Sequence, residues 1–219
     1  MAGRKETKPY YFSVEGYTEL WYLQWLQKQI NECPQSEHPV ALKAKVEPNP
    51  VGRVKGMTII GKTELWHLSD YEGEDEDNPN RFRMTMDRLK EAESLKRGVK
   101  CRFGYSNLTF DLWMVLHRLD CRGELADRKQ YLPWINRGFE ERFVSMKQYK
   151  QEDNFKRCLS KLKLSDVRMA VRQAREIMQT LSDNGYRDCE HRGYRYYTRN
   201  PSLEIWRPIE IILKDCGLW

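Results

Sequence analysis

The 219-residue sequence has no apolar run that approaches the roughly 20 residues a helix needs to cross a bilayer. Residues 1–8 are polar and contain none of the apolar core of a secretory signal peptide. These two absences argue against a membrane-spanning protein and against a secreted precursor. We therefore expect a cytoplasmic protein that has no membrane partner.

Paired metal-binding cysteines are also missing. The six cysteines are scattered along the chain, and no Cys-x-x-Cys pair occurs among them. Cys189 and His191 are close in sequence, but a lone Cys-x-His lacks the second pair that a structural zinc site needs. We expect the cysteines to be reduced and structural.

The rest of the composition is typical of a folded protein with a heavily charged surface. Aromatic residues make up 12% of the chain, which argues against disorder although 32% of the residues are charged. The formal net charge of +6 is compatible with a nucleic-acid partner. A solvated basic face would give the same excess, so charge alone does not identify the partner.

The first half of the chain alternates between strand and helix patterns. Residues 10–14 form an apolar, β-rich run that ends at Glu15-Gly16, and helical spacing follows over residues 17–30. Further strands are predicted at residues 41–46, 57–60, 64–68 and 99–103, and further helices at 79–97 and 110–119. This alternation predicts an α/β fold in which a mostly parallel sheet is flanked by helices.

The second half has a different pattern. Residues 125–164 are polar and predicted to be helical, and residues 165–181 have the spacing of an amphipathic helix. Residues 189–199 are basic and rich in tyrosine, and a last apolar segment covers 203–213. We therefore divide the chain into a core over residues 1–122 and a helical extension over 123–219, with its basic tyrosine-rich segment packed on the core.

Two acidic clusters each follow a predicted strand. Glu15 ends the first strand and Glu19 lies one helical turn further on, while Asp70 and Glu72 follow the strand at 64–68. Ligands of an open parallel sheet bind beyond the carboxyl ends of its strands, so these four carboxylates converge if the two strands are neighbours. Oxygen ligands suit hard ions such as Mg²⁺ or Mn²⁺, which activate water and stabilise charge in phosphoryl transfer.

Each acidic cluster also has an ordinary structural explanation. An acidic residue in the first turn of a helix stabilises the helix dipole by ~0.3–1 kcal/mol, which would account for Glu19. The acidic segment at residues 70–77 could be a solvated loop. Either explanation would be preferred for one cluster alone, whereas two clusters at the ends of two strands favour a functional site.

Several motifs resemble those of a known family. Phe-Ser-Val-Glu-Gly-Tyr-Thr-Glu (residues 12–19) is similar to the opening motif of the Toprim fold, which topoisomerases, primases and OLD-type nucleases share. Leu-Ser-Asp-Tyr-Glu (68–72) is similar to the second Toprim motif, an Asp-x-Asp or Asp-x-Glu after a strand. Residues 105–117 resemble the Ser-Asn-Pro-x-Phe-Glu-x-Trp-x-x-x-His signature of the RloB-like family, with Leu108 for proline and Asp111 for glutamate. Asn-Pro-Ser-Leu (200–203) is similar to the C-terminal motif of that family.

This resemblance implies a Toprim core with a helical C-terminal extension, and an Mg²⁺-dependent nuclease that cuts DNA or RNA in bacterial antiphage defence. It implies that Glu15 serves in metal binding or acid–base chemistry, that Asp70 and Glu72 hold Mg²⁺, and that Glu19 helps at a second metal position. An ABC-type ATPase or another defence-system subunit is the implied partner. The alternative is an inactive Toprim-like subunit that binds nucleic acid or acts as a scaffold. The stretch at residues 48–62 departs from the pattern, since it is too short and glycine-rich for the usual crossover helix, and we expect a hairpin there.

Two further groups of residues are candidates for nucleic-acid binding. Ser106 and Asn107 follow a strand at the same end of the sheet as the carboxylates, and His117 completes the RloB-like signature. They could contact phosphate, or they could be a helix cap and a buried histidine. Arg192, Arg195 and Arg199 alternate with tyrosines in a pattern suited to phosphates and unpaired bases. The alternative, of equal weight, is a basic surface hairpin whose tyrosines pack on the core.

Overall fold

The computed structural model describes residues 6–59, 61–71 and 78–219, except for the side chains of residues 78 and 79. Four parallel strands form the main sheet in the order β2-β1-β3-β4. They are β1 (Lys8–Val14), β2 (Val40–Val46), β3 (Thr63–Tyr71) and β4 (Val99–Asn107), and their crossovers are α1 (Tyr17–Asn31), α2 (Pro50–Lys55) and α3 (Asn78–Leu95). The predicted α/β class with a parallel sheet is confirmed, and the arrangement is consistent with a Toprim-like fold.

Helices and a β-hairpin follow the sheet. They are α4 (Asp111–Leu116), a single 3-10 turn (Arg128–Gln130), α5 (Tyr131–Phe139), α6 (Met146–Tyr149), α7 (Glu152–Ser160), α8 (Leu164–Asp183), the antiparallel pair β5 (Cys189–His191) and β6 (Tyr194–Tyr196), and α9 (Trp206–Asp215). The predicted helical character of this half is confirmed. Within the described residues, no helix is both long and apolar enough to span a membrane.

The two faces of the sheet are covered by different elements. Successive side chains of a strand point to opposite faces, so Trp66 and Leu68 of β3 enter one core and Leu65 and Tyr71 enter the other. The first core contains α1, α4, α5, α7, α8 and α9, and the second contains α2, α3 and the hairpin. Residues beyond position 122 therefore share a hydrophobic core with the sheet.

The connection between β2 and β3 corrects one prediction. A strand over residues 57–60 and a hairpin at the sheet edge were expected, but 57–59 are not in a strand, residue 60 lies outside the described residues, and β3 runs parallel to β1. The Asn49 side chain accepts a hydrogen bond from the Val51 N–H at 3.1 Å, and Pro50 lies in the first turn of α2. Proline is favourable at the start of a helix because a backbone N–H at that position would have no partner within the helix, so its absence costs nothing. The Asn49-Pro50 pair therefore begins a helix.

Two buried histidines differ in how their ring nitrogens are satisfied. His67 lies fully buried in β3 and stacks on Phe103, and neither of its ring nitrogens has a hydrogen-bond partner among the described residues. His117 is also fully buried, but its Nδ1 is 2.8 Å from the Trp113 carbonyl oxygen and its Nε2 is 3.1 Å from the Tyr22 hydroxyl. Since a carbonyl only accepts, Nδ1 carries the proton and Nε2 accepts from Tyr22. Burial lowers the pKa of His67 to about 3 and that of His117 to about 4.

These pKa values predict that acid destabilises the fold and that the two histidines respond oppositely to replacement. Each histidine has a folded pKa below its unfolded value near 6.5, so its titration costs no stability above pH 6.5 and destabilises the fold as the pH falls from 6.5 towards the folded pKa. The free energy of unfolding then changes by about 1.4 kcal/mol per pH unit for each histidine.

His67→Leu should reduce this pH dependence and raise the free energy of unfolding at neutral pH by ~1–3 kcal/mol, because it removes two unpaired polar atoms. His117→Leu should instead destabilise the protein, because it leaves the Tyr22 hydroxyl unpaired. Urea unfolding at pH 7.5 and pH 5 measures both effects, and stabilisation by both variants would contradict the assignment.

Candidate active site at the carboxyl edge of the sheet

Two acidic residues meet where β1 and β3 end. These strands are parallel neighbours, so their carboxyl ends lie at the same edge of the sheet. Glu15 Oε1 accepts a hydrogen bond from the Ser69 hydroxyl at 2.8 Å, and Glu15 Oε2 accepts one from the Asp70 N–H at 3.1 Å. The Glu15 side chain, at the end of β1, is therefore hydrogen-bonded to the end of β3. The predicted meeting of Glu15 with Asp70 is observed.

Glu19 lies in the first turn of α1 and is almost fully buried. Its Oε2 accepts a hydrogen bond from the Thr18 hydroxyl at 2.8 Å. A Cβ atom on Gly16 would lie 3.1 Å from the same oxygen, so the glycine leaves room for the carboxylate. Burial raises the pKa of Glu19, while hydrogen bonds from its own backbone and from Thr18, and the charge of Lys150, lower it in part.

Asp70 is a second carboxyl group at this edge whose pKa is raised. Burial, followed by repulsion from Glu19 and Glu15, raises the pKa of Asp70 well above its ordinary value. Lys150 opposes this rise and Asp111 adds to it. A crowded group of this kind favours the binding of positive charge, because each added cation relieves repulsion between carboxylates.

Asp111 and Lys150 belong to the same group although neither was predicted as a site residue. Asp111 begins α4 and is fully buried; its Oδ2 accepts from the Thr109 hydroxyl at 2.7 Å and lies 2.9 Å from Lys150 Nζ. Its Oδ1 has no hydrogen-bond partner among the described residues. Burial alone would lower the pKa of Lys150, but attraction to Asp111, Asp70 and Glu19 outweighs burial and raises it.

Local structure explains how Lys150 reaches the carboxylates. The Ser145 hydroxyl accepts from the Gln148 N–H at 3.2 Å and caps the short helix α6. Tyr149 anchors this helix because its ring is fully buried against Phe143 and Phe155. Lys150 follows directly and is directed to the sheet edge. The signature position of Asp111 could have indicated an acidic site residue, whereas no local pattern distinguishes Lys150 from the other lysines.

One comparison with known proteins gives the family of the chain. The family model described as RloB-like protein matches residues 10–212. The chain belongs to the RloB-like family. The match includes every residue of the carboxylate group together with Lys150. No curated protein and no solved structure matches the chain at a significant level.

The side chains of this RloB-like site suit a metal ion by the chemistry of their donor atoms but not by their spacing. Glu15, Glu19, Asp70 and Asp111 supply oxygen atoms only, as Mg²⁺ and Mn²⁺ prefer. Within residues 6–59, 61–71 and 78–219, however, no three acidic, histidine or cysteine side chains are grouped closely enough to hold an ion. Glu72, predicted as a further ligand, lies outside the described residues. The metal site remains a prediction.

In this RloB-like chain, nucleic-acid contacts of Ser106, Asn107 and His117 remain a prediction. All three side chains are buried. The Asn107 amide donates to the Thr198 carbonyl at 2.8 Å and so fixes the segment that leads to the Asn-Pro-Ser-Leu motif. His117 is enclosed between Tyr22 and Trp113 and offers no polar surface to a ligand in this conformation.

The three arginines of the basic segment are exposed, and each already contacts a carboxylate. Arg192 lies 2.8 Å from Asp87, Arg195 lies 3.3 Å from Glu190, and Arg199 lies 2.9 Å from Glu124. Exposed pairs of this kind contribute ~0–1 kcal/mol, so phosphate could replace the carboxylates at little cost. Nucleic-acid binding by these arginines remains a prediction.

The tyrosines of the hairpin pack on the protein. Tyr196 is buried against Phe82, with ring centroids 5.0 Å apart, and the Tyr194 hydroxyl donates to the Cys101 carbonyl at 3.2 Å. Of the two alternatives for this segment, packing on the core therefore holds for Tyr194 and Tyr196. These two rings are not available to stack on bases.

Proposed function

We propose that this RloB-like protein is a metal-dependent nuclease that hydrolyses phosphodiester bonds of DNA or RNA at the carboxyl edge of its sheet. The observation that carries the proposal is the meeting of acidic residues where β1 and β3 end: Glu15 accepts a hydrogen bond from the Asp70 N–H, and burial, followed by repulsion from Glu19 and Glu15, raises the pKa of Asp70 well above its ordinary value. A cluster of carboxylates at strand ends is suited to bind cations and phosphate together. The family resemblance assigns metal binding to the same three residues, which supports the proposal.

Each side chain has a distinct role in the proposed chemistry. Asp70, Glu15 and Glu19 would hold Mg²⁺ or Mn²⁺, and the bound ion would supply Lewis-acid activation of water and of the scissile phosphate. Glu15 also fixes the end of β3 through Ser69 and the Asp70 N–H, which keeps the two strand ends in register. Lys150, held by Asp111, places a positive charge beside the carboxylates, where it would offset their repulsion of a phosphodiester.

The biological setting is part of the same proposal. The family resemblance supports a role in bacterial antiphage defence in the cytoplasm, with an ABC-type ATPase or another defence-system subunit as partner. The ATPase would control when the nuclease acts, since a free nuclease would also damage its host.

A cleavage assay tests the activity. The purified chain with Mg²⁺ or Mn²⁺ should cut at least one of plasmid DNA, single-stranded DNA and transfer RNA, and EDTA should stop the reaction. Glu15→Gln should reduce the rate at least a hundredfold, because it removes a negative charge from the proposed ion site and one of two acceptor oxygens. Glu64→Gln, in an exposed pair with Arg102 away from the cluster, is the matched control and should leave the rate unchanged. No cleavage with either metal, with and without an ABC-type ATPase partner, would contradict the proposal.

A scaffold without catalytic activity is the second candidate. The observation in its favour is that Lys150 already balances part of the negative charge of Asp111, Asp70 and Glu19. A scaffold needs no tight Mg²⁺ site, so calorimetric titration should then detect no saturable binding of Mg²⁺ or Mn²⁺. Saturable binding that is lost in Glu15→Gln would instead favour the nuclease.

A further inference from the structure

A cleft of about 530 Å³ borders the carboxyl edge of the sheet. One wall comes from Asn107 and Leu108 at the end of β4, and the others come from Glu124, Tyr186, Arg199 and Asn200. A smaller hollow of about 190 Å³ shares the last four of these residues. Sites for small ligands commonly have volumes of about 300–1,000 Å³, so the larger cleft has the size for one nucleotide.

The cleft lies next to the carboxylate group. Asp70 pairs with Ser106 in the register of β3 and β4. From the usual spacing of neighbouring strands and of residues along a strand, the Cα atoms of Asp70 and Leu108 are about 8 Å apart. The Tyr131 hydroxyl donates to Asn200 Oδ1 at 3.4 Å. Burial raises the pKa of Tyr131, and the charges of Asp111 and Asp70 add to the rise. Tyr131 therefore lies between the cleft wall and the carboxylates.

A stacked pair of a cation and an aromatic ring lines the cleft. The Arg199 guanidinium carbon lies 4.4 Å from the centroid of the Tyr186 ring, and Arg199 Nη2 lies 2.9 Å from Glu124 Oε2. Tyr186 is 38% exposed, which is unusual for a large ring and leaves part of it accessible. Arg187, also exposed, lines the same cleft. Tyrosine rings and guanidinium planes are surfaces on which unpaired bases stack.

Glu124 competes with a phosphate for Arg199, because it already lies beside the guanidinium. The side chains of this pair are exposed by 44% and 59%, so the pair contributes little to stability and can exchange. A phosphate group, like a carboxylate, offers the guanidinium two oxygen atoms that can accept its hydrogen bonds. Arg199 can therefore turn from Glu124 to a phosphate without a large change of the fold.

We propose that this cleft holds one unpaired nucleotide of a DNA or RNA strand, with its base against Tyr186 and its phosphate paired with Arg199 in place of Glu124. A base in a duplex is covered on both faces by its neighbours, so it cannot reach a ring that lies inside a cleft. The inference rests on the proposed nuclease function, which it deepens: the protein cuts single strands, loops or ends rather than regular duplex.

Binding without metal tests the cleft separately from cleavage. Fluorescence anisotropy in EDTA would compare a labelled single-stranded DNA, the single-stranded RNA of the same sequence and the DNA duplex. At least one single strand should bind at least tenfold more tightly than the duplex. Tyr186→Ala should weaken binding of that strand about five- to hundredfold, whereas Tyr186→Phe should retain it.

Replacements in the ion pair distinguish a binding role from a structural one. Arg199→Ala should weaken single-strand binding, whereas Glu124→Gln should strengthen it, because the competitor of the phosphate is removed. A merely structural pair would give both variants the same sign. Arg102→Ala and Glu64→Gln disrupt a comparable exposed pair elsewhere and should change binding less than about twofold, since exposed pairs contribute little. Thermal melting of every variant checks that the fold is retained.

Three results would overturn the inference: duplex binding as tight as single-strand binding, wild-type affinity in Tyr186→Ala, or equal weakening by Arg199→Ala and Glu124→Gln. If the predicted binding is found but no metal supports cleavage, the cleft stands and the nuclease proposal fails. If cleavage occurs while the Tyr186 and Arg199 variants bind normally, only the cleft is wrong.

Discussion

Asp70→Asn is expected to abolish cleavage and, in the same protein, to raise the melting temperature of the metal-free state. Asp70 is crowded by Glu15 and Glu19 at the sheet edge, and its pKa is raised well above the ordinary value. A carboxyl group with a raised folded pKa destabilises the fold once the pH exceeds its unfolded pKa near 3.8. Asparagine imitates the protonated form, so it removes this cost but also removes a proposed ligand.

The size of the stability gain depends on pH in a defined direction. Each unit by which the pKa of Asp70 is raised corresponds to about 1.4 kcal/mol at neutral pH, and 1 kcal/mol moves the melting temperature of a chain of this size by about 2–4 °C. The gain should be present at pH 7 and should vanish as the pH falls below about 4, where Asp70 is protonated in both states.

Thermal melting with EDTA and with Mg²⁺ measures both parts of this prediction. Mg²⁺ should raise the melting temperature of the wild-type protein, because a ligand that binds only the folded state stabilises it, and should not raise that of Asp70→Asn. Glu64→Gln should behave as wild type in both solutions. A fall of many degrees in metal-free Asp70→Asn would show that Asp70 is a structural residue instead.

Lys150→Met is expected to destabilise the protein by less than the ~3–5 kcal/mol of a fully buried ion pair broken from one side, because the Lys150 side chain is 34% exposed. Asp111 is fully buried, its Oδ2 lies 2.9 Å from Lys150 Nζ, and Lys150 is the cation that contacts it. Without the lysine, Asp111 retains only the Thr109 hydroxyl as a side-chain partner among the described residues. Cleavage should be lost as well, because the remaining carboxylates would repel a phosphodiester more strongly.

A double-mutant cycle separates the two effects. Asp111→Asn leaves Lys150 with a partly exposed side chain that can turn to solvent, so this variant should be destabilised less than Lys150→Met. The double variant should recover most of the lost stability, because it contains no unpaired buried charge. It should remain inactive if Lys150 offsets the charge of the substrate. Equal destabilisation by both single variants without recovery in the double variant would contradict this account of the pair.

The parts of the site that follow from local sequence were predictable. A β-rich run that ends at Glu15-Gly16 before helical spacing specifies a strand, a turn and a helix, and the observed elements begin and end close to the predicted positions. The same argument placed Asp70 at the end of β3. The pairing of Glu15 with the Asp70 N–H then follows from two parallel strands being neighbours. The short crossover helix α2 was missed because Asn-Pro is compatible with both a break and a helix start.

What the sequence by itself determined is therefore the parallel α/β class, the family motifs and the pair of strand ends that carry Glu15 and Asp70, because periodicity and turns act between residues close in the chain. Only the tertiary structure decided the rest. It packed α6 so that Lys150 reaches Asp111, enclosed His117 and placed the Arg199–Tyr186 stack beside the sheet edge. These contacts join residues far apart in the chain, and they depend on how helices pack on the sheet, which no local spacing encodes.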